Sequence, residues 1–324
     1  MFEVNRIFNI DSQEQFLNCA LELFRFQAKR CEPYRRYIEL LGIDPAEVNK
    51  VEDIPFLPIE LFKSCDVYCG DTAPEIIFTS SNTGSTVASR HLMASLETYR
   101  EAFTRAFEQF YGRAEQWSIY GLLPNYLERE GSSLVYMVDT LIKRCGSGGF
   151  YLNNYEQLIE DIERDPKPKI LLGVSYALWD VAEKYAPKLR DTIIMETGGM
   201  KGRREELSKS ELHKILCEGF GVESIHSEYG MAELTSQAYS KGGGIFYTPS
   251  WMRVMVRDVN DPFDHAPQNM RGGIDIIDLA NTSSCAFIQT QDIGRLLSDG
   301  GFMVEGRIAG SDIRGCNLLV HDIL

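Results

Sequence analysis

The sequence has no long hydrophobic run. No stretch of about 18 apolar residues occurs, so no membrane-spanning helix is expected. The opening Met1-Phe-Glu-Val-Asn-Arg6 lacks the charged-then-apolar signature of a secretory leader. Both absences lead to the expectation of a cytoplasmic protein. Positive charge is scarce: 33 Lys and Arg stand against 47 Asp and Glu, a net charge of −14. A binder of a nucleic-acid backbone needs a basic face, so no nucleic-acid partner is expected. Metal-ligand spacing is also missing. Cys65 and Cys69 form the one close pair among eight cysteines, and no second Cys or His pair completes a four-ligand zinc site. In a reducing compartment such cysteines are free thiols, mostly buried as small apolar groups. No internal repeat, low-complexity tract or linker punctuates the chain.

What is present is an ordinary globular composition, 44% hydrophobic and 25% charged over 324 residues. That length supports a sizeable core and either two domains or one large α/β unit. The first 50 residues read as helical. Ser12 and Gln15 form a capping box ahead of Leu17, Ala20, Leu21 and Phe24 at helical spacing. From residue 75 strands and helices alternate. Strands are expected at 75–79, 118–123, 149–152, 169–174, 192–196 and 224–228. Helices are expected at 95–111, 132–144, 155–164, 176–185 and 208–219. This alternation predicts a mainly parallel sheet with flanking helices. Beyond 244 the runs 245–258, 273–279, 284–290 and 300–304 read as strands, a smaller and mostly antiparallel sheet. The expected organisation is a helical cap over 1–60, an α/β body over 61–244, a β-rich subdomain over 245–306, and a tail over 307–324.

Five segments carry chemistry. Thr79-Ser-Ser-Asn-Thr-Gly-Ser-Thr86 follows a strand with six hydroxyls, one amide and one glycine. Hydroxyls and backbone N–H groups around a glycine hinge suit phosphate oxygens; a polar surface turn is the plain alternative. Thr197-Gly-Gly-Met200 stands at a strand's carboxyl end, where paired glycines let a flat ligand approach. Ser227-Glu-Tyr-Gly-Met-Ala-Glu233 offers an aromatic face, a glycine and a carboxylate suited to Mg²⁺. A strand-to-helix connection explains it equally well. Thr290-Gln-Asp-Ile-Gly294 places an Asp between strands, able to accept from both hydroxyls of a ribose. Within Val304-Glu-Gly-Arg307, the arginine could reach the same sugar or a phosphate.

In their order these segments resemble the adenylate-forming superfamily of acyl-CoA synthetases, luciferases and peptide-synthetase adenylation domains. Thr79–Thr86 is similar to its Ser/Thr/Gly phosphate loop, and Tyr229-Gly-Met-Ala-Glu233 to its Tyr-Gly-x-Thr-Glu motif. Thr290-Gln-Asp292 resembles Thr-Gly-Asp, and Gly306-Arg307 resembles the opening of its hinge motif. Within that superfamily the length, the early helical segment and the ending resemble the LuxE-type acyl-protein synthetases, with phenylacetate–CoA ligases more distant.

The resemblance implies an α/β, adenylate-forming N-terminal-domain-like fold without the mobile C-terminal domain. It implies ATP and Mg²⁺ as cofactors and a carboxylic acid, a fatty acid first among candidates, as substrate. Ser80, Ser81, Asn82, Thr83, Gly84 and Ser85 would hold the β- and γ-phosphates. Gly198, Gly199, Met200 and Tyr229 would flank the adenine. Asp292 and Arg307 would hold the ribose, and Glu233 the Mg²⁺. Catalytic roles fall to Glu233, Arg307 and Cys316, the last as the thiol that takes the acyl group; a buried strand cysteine is the alternative there. The acceptor beyond it would be an acyl reductase, an acyl carrier protein or CoA. The pattern departs in the phosphate loop, which lacks the usual Lys, with Arg90 nearby and Lys201 a substitute for the lysine of the mobile domain.

Two other readings compete. Gly173-Val-Ser-Tyr-Ala177 has the look of a hydrolase nucleophile elbow, with His213, His226, His265 and His321 as the available bases. A non-catalytic nucleotide- or acyl-binding subunit would bind ATP without releasing pyrophosphate.

Overall fold

Local signals account for the helices. A computed structural model describes residues 4–80, 87–124, 131–200, 204–205, 207–259, 261 and 263–308. A short 3₁₀ turn leads into α1 (Gln13–Arg30) and α2 (Glu32–Leu40). The Ser12 hydroxyl accepts from the Gln15 amide, as expected of an N-cap. The Gln15 side chain accepts from the Asp11 amide rather than from Ser12's own, so the capping box closes one residue early. Next come β1 (Leu57–Pro58), the single-turn α3 (Leu61–Ser64) and the hairpin of β2 (Ile76–Thr79) and β3 (Arg90–Met93). The sequence pattern marks no strand at β3, because four residues are too few to display an alternation. Helix α4 (Leu96–Tyr111) starts at its N-cap Ser95 and buries Tyr99, Phe103 and Phe107.

The alternating region then runs β4 (Ser118–Leu122), α5 (Ser133–Cys145), β5 (Gly148–Tyr151), α6 (Tyr155–Arg164), β6 (Lys169–Val174), α7 (Ser175–Tyr185), β7 (Thr192–Thr197), α8 (Lys209–Phe220), β8 (His226–Tyr229) and β9 (Ala238–Ser240). The expected boundaries differ from these on the scale of end fraying. The strands order as β5-β4-β6-β7-β8-β9. Every pair is parallel except β8 with β9. Strand β6 is buried along its length, as a sheet covered on both faces requires.

A second sheet contains β10 (Ile245–Phe246), β11 (Met252–Arg257), β12 (Gly272–Asp278), β13 (Phe287–Leu296) and β14 (Phe302–Arg307), in the order β10-β14-β13-β12-β11. Strand β1 joins it parallel to β13, making six strands. The antiparallel layer is therefore not smaller than the parallel one, and part of it comes from the first 60 residues. Helix α1 is fastened to the same layer. The buried Gln27 donates to the Asn281 carbonyl at 2.8 Å and accepts from the Ala286 amide at 2.9 Å. Phe24, Tyr34 and Phe56 pack around Phe287 beside it.

The two layers meet at an aromatic junction. Tyr229 lies 5.8 Å from Phe246 and 5.6 Å from Phe302, ring centre to ring centre. Among the described residues no helix is long and apolar enough to cross a membrane, and the seven described cysteines are free.

Candidate active site

The carboxyl ends of β6, β7 and β8 lie side by side. This places Ser175, Thr197–Met200 and Tyr229–Glu233 along one edge, the position at which parallel α/β sheets bind ligands. The antiparallel layer brings Asp292 and Arg307 to the same edge. Tyr229 donates its hydroxyl to Asp292 Oδ2 at 2.8 Å. Arg307, directly opposite Asp292 on β14, brings Nε to 3.6 Å from Asp292 Oδ1. Three residues read from separate motifs thus form one connected cluster.

Asp292 is not between strands, as the sequence suggests, but inside the ten-residue β13. Gln291, where the family pattern has glycine, sits in the same strand. It accepts from Arg307 at 2.6 Å and reaches Glu60. A side chain at this position is compatible with extended backbone, whereas a tight turn would have wanted glycine. Tyr229 is followed by a turn back into β9, not by a helix.

Gly198 adopts φ +70°, a left-handed conformation that glycine supplies at little cost, and its carbonyl accepts from the Ser175 hydroxyl at 3.0 Å. Met200 is buried next to it. Ser80 stands where β2 ends, its hydroxyl accepting from the Ser89 amide at 2.9 Å. Ser81, Asn82, Thr83, Gly84 and Ser85 lie outside the described residues, as do Lys201 and Cys316. Arg90 is at the surface, 2.6 Å from Asp66.

Glu233 is fully buried on the turn after β8. The turn is latched from β3 and the antiparallel layer. His91 Nδ1 meets the Ala232 carbonyl at 2.7 Å, and Asn281 donates to the Glu233 carbonyl at 3.0 Å. Asp278 accepts from the amides of Thr235 and Ser236, each at 2.8 Å. Burial pushes the Asp278 carboxyl up, and these bonds oppose the shift. Burial likewise lowers the basicity of His91. Among the described residues no group of three or more His, Cys, Asp or Glu could cage a metal. A single carboxylate, Glu233, does not hold Mg²⁺ by itself; phosphate oxygens and water would have to complete its coordination.

A second polar cluster was not legible in the sequence. Glu196, at the end of β7, is buried. Lys209 lies 2.5 Å and His213 3.5 Å from its Oε1, while Ser175 lies 3.1 Å from Oε2. Burial opposes ionisation of Glu196, yet Lys209 and His213 outweigh it and hold the carboxyl well below the usual range. On the other face of the sheet Thr197 donates to Glu228 Oε2 at 2.5 Å. Burial pushes Glu228 up to about 7, against the pull of the Thr197 bond. These residues fall on strand ends whose identities look like ordinary polar caps, and only the parallel register brings them together.

The elbow-like Ser175 is not a hydrolase nucleophile of the usual arrangement. A triad places His between Ser and the acid, whereas here Glu196 stands between Ser175 and His213, and Ser175 is almost fully buried. His226 meets Tyr111 and His265 meets the Glu52 carbonyl; His321 lies outside the described residues.

No family model and no curated protein matches the sequence. Solved structures do match the fold. A 2-hydroxyisobutyryl-CoA ligase with 2-HIB-AMP and CoA, in the thioesterification state, aligns with a TM-score of 0.70 at 15% identity, over 97% of this chain and 73% of that chain. An open conformation of the same ligase aligns at 0.68 and 14%, over 92% and 70%. ATP-bound MatB from Rhodopseudomonas palustris aligns at 0.55 and 13%, over 73% of this chain and about half (49%) of that one. At such identities the likeness is one of fold.

Proposed function

We propose that the protein activates a carboxylic acid with ATP and passes the acyl group to a thiol. One observation carries the reading: the Tyr229–Asp292–Arg307 cluster stands beside the left-handed Gly198 turn, at the carboxyl edge of a sheet with this fold. A nucleoside fits that arrangement. Asp292 offers carboxylate oxygens to ribose hydroxyls, Arg307 supplies fixed positive charge, and the glycine turn admits the flat base. The phosphate chain would extend towards Ser80 and the loop Ser81–Ser85.

The substrate carboxylate attacks the α-phosphorus of ATP. A new O–P bond forms, the α–β bridge breaks, and pyrophosphate leaves with its electron pair. Such a transfer needs mainly alignment and charge stabilisation. Mg²⁺, held by Glu233 and the phosphates, would supply charge neutralisation when bound. In the second half-reaction a thiolate attacks the acyl carbonyl and AMP leaves. We assign that thiol to Cys316, with a fatty acid as first candidate substrate and an acyl reductase, acyl carrier protein or CoA as later acceptor. The organisation proposed with it is one adenylate-forming domain over 1–306 and a hinge segment from 307, in a cytoplasmic enzyme.

The test measures pyrophosphate release with ATP and Mg²⁺ across a panel of carboxylic acids, with and without CoA, alongside intact mass of wild type and Cys316→Ala. Acid-dependent pyrophosphate, with an acyl mass lost in the variant, is the expected result. ATP binding without pyrophosphate for any acid would replace this reading with a non-catalytic one.

A further inference from the structure

The Glu196 cluster lies outside the residues assigned above, and its hydrogen bonds are overcommitted in an informative way. Ser175 has a single hydroxyl proton. Two acceptors compete for it: Glu196 Oε2 at 3.1 Å and the Gly198 carbonyl at 3.0 Å. A bare carboxylate is the stronger acceptor and would win the proton. Here the carboxylate is not bare. The Lys209 ammonium lies 2.5 Å from Oε1, and His213 approaches the same oxygen at 3.5 Å. Neutralising Glu196 from that side weakens its hold on Ser175 and leaves the hydroxyl for the Gly198 carbonyl.

Lys209 is built to stay where it is. It opens α8 directly after the N-cap Ser208, whose capping box with Glu211 fixes the helix start. Its stem runs against Gly244, where an added Cβ would come within 3.2 Å of Lys209 Cδ. Its ammonium stacks over Phe246 at 5.0 Å, and Phe246 in turn packs on Tyr229. One side chain therefore ties the start of α8, the end of β7 and the aromatic junction together.

We propose that Lys209 is a positioning residue for the Thr197–Met200 turn, acting through Glu196 and Ser175 to hold the Gly198 carbonyl. That turn flanks the adenine in the function proposed above, so the kinetic half of the inference rests on that reading. The structural half does not.

Amide hydrogen exchange of the ligand-free protein, followed over 196–200, reads the brace directly in wild type, Lys209→Met, Lys209→Arg and Ser175→Ala. Protection of this turn falls in Lys209→Met and Ser175→Ala, while the rest of β6 and β7 keeps its own. Lys209→Arg retains it, because a positive charge beside Glu196 is what the brace uses. With ATP, KM rises about tenfold in Lys209→Met and Ser175→Ala, the scale of one lost hydrogen bond, and kcat changes little. In the Lys209→Met background Ser175→Ala adds little, since both changes act on one bond. Unchanged exchange at 196–200, multiplying effects in the double variant, or an arginine as damaging as methionine would each overturn the proposal. A wild type that binds no ATP in calorimetry would sink the adenylation reading instead, and the exchange data would still decide the brace.

Discussion

The hydroxyl of Tyr229 and the Oδ2 of Asp292 meet at 2.8 Å across 63 residues of chain and across the junction of the two sheets. This bond orients the carboxylate that the proposed ribose contact needs. Tyr229→Phe keeps the ring against Phe246 and Phe302 and removes only the donor. Its expected effect is a rise in KM for ATP of about fivefold, near 1 kcal/mol. Asp292→Ala removes the proposed ribose contact itself and the carboxylate opposite Arg307, so it should be the more damaging change. Steady-state pyrophosphate release checks the order. Tyr229→Phe proving worse than Asp292→Ala would mean that Asp292 does not face the nucleotide.

Glu228 makes stability depend on pH with a definite sign. Burial raises its folded-state pKa to about 7, above the ordinary glutamate value of 4.5, so between the two the folded chain holds a proton that the unfolded chain has released. Stability therefore falls as pH rises through this window and levels off above it. The full effect of this group is about 3 kcal/mol. Glu228→Gln keeps an acceptor for Thr197 and cannot ionise. Chemical denaturation at about pH 5 and about pH 8 should show this loss in wild type and its absence in the variant.

The parts of the architecture written in local pattern were legible. Helices α4 to α8 announce themselves by apolar spacing, and the β4–β8 alternation by length and turns. Tyr229, Asp292 and Arg307 were singled out through their motifs, and the structure brings the three together. The strand β3, the strand character of Asp292 and the β1 contribution to the antiparallel layer were not. Each depends on a hydrogen-bonded neighbour far away in sequence: Thr79 for Arg90, Arg307 for Asp292, Ile288 for Leu57. The Glu196 and Glu228 clusters were hidden for the same reason. Register decides them, and a one-residue slip would turn every such side chain to the other face.

Arg257 was also invisible in the sequence, yet it underlies the Asp292 strand. It meets Asp275 at 2.6 Å and donates to the carbonyls of Ile274 at 3.0 Å and Thr290 at 2.7 Å. Gly273 makes room for it, since a Cβ there would come within 2.4 Å of the guanidinium carbon. Thr290 then holds the Asp292 amide at 3.1 Å. Arg257→Met strands the buried Asp275 carboxyl and takes the side-chain donor from the Thr290 carbonyl, while the Ile274 carbonyl keeps the Thr290 hydroxyl, for an expected loss of about 3–5 kcal/mol. Arg257→Lys should not restore it, because an ammonium cannot serve three acceptors in one plane. Denaturant unfolding of both variants measures this, and a lysine variant as stable as wild type would reduce the arginine to a simple charge.

In the function proposed above, the latch on Glu233 joins stability to metal use. Asn281 spends both amide hydrogens on the carbonyls of Glu233 and Cys285, at 3.0 and 2.9 Å, so its oxygen must face His91 Nε2 at 3.0 Å. The other ring nitrogen faces the Ala232 carbonyl. His91→Phe fills the same space beside Phe62 but removes the ring N–H; a neutral imidazole has one, so one of the two facing oxygens loses its donor, an expected cost of about 1–2 kcal/mol. The Ala232–Glu233 turn loses its fixed position with the imidazole. The Mg²⁺ concentration giving half-maximal pyrophosphate release should rise about fivefold, matching about 1 kcal/mol of lost preorganisation. Glu233→Gln removes the carboxylate and should abolish turnover at any Mg²⁺ concentration tried. The two readouts separate the possibilities. A His91→Phe protein that is less stable but needs no more Mg²⁺ would leave the latch a structural one, and a Glu233→Gln protein that turns over normally would mean that the carboxylate serving the metal lies elsewhere than on this turn.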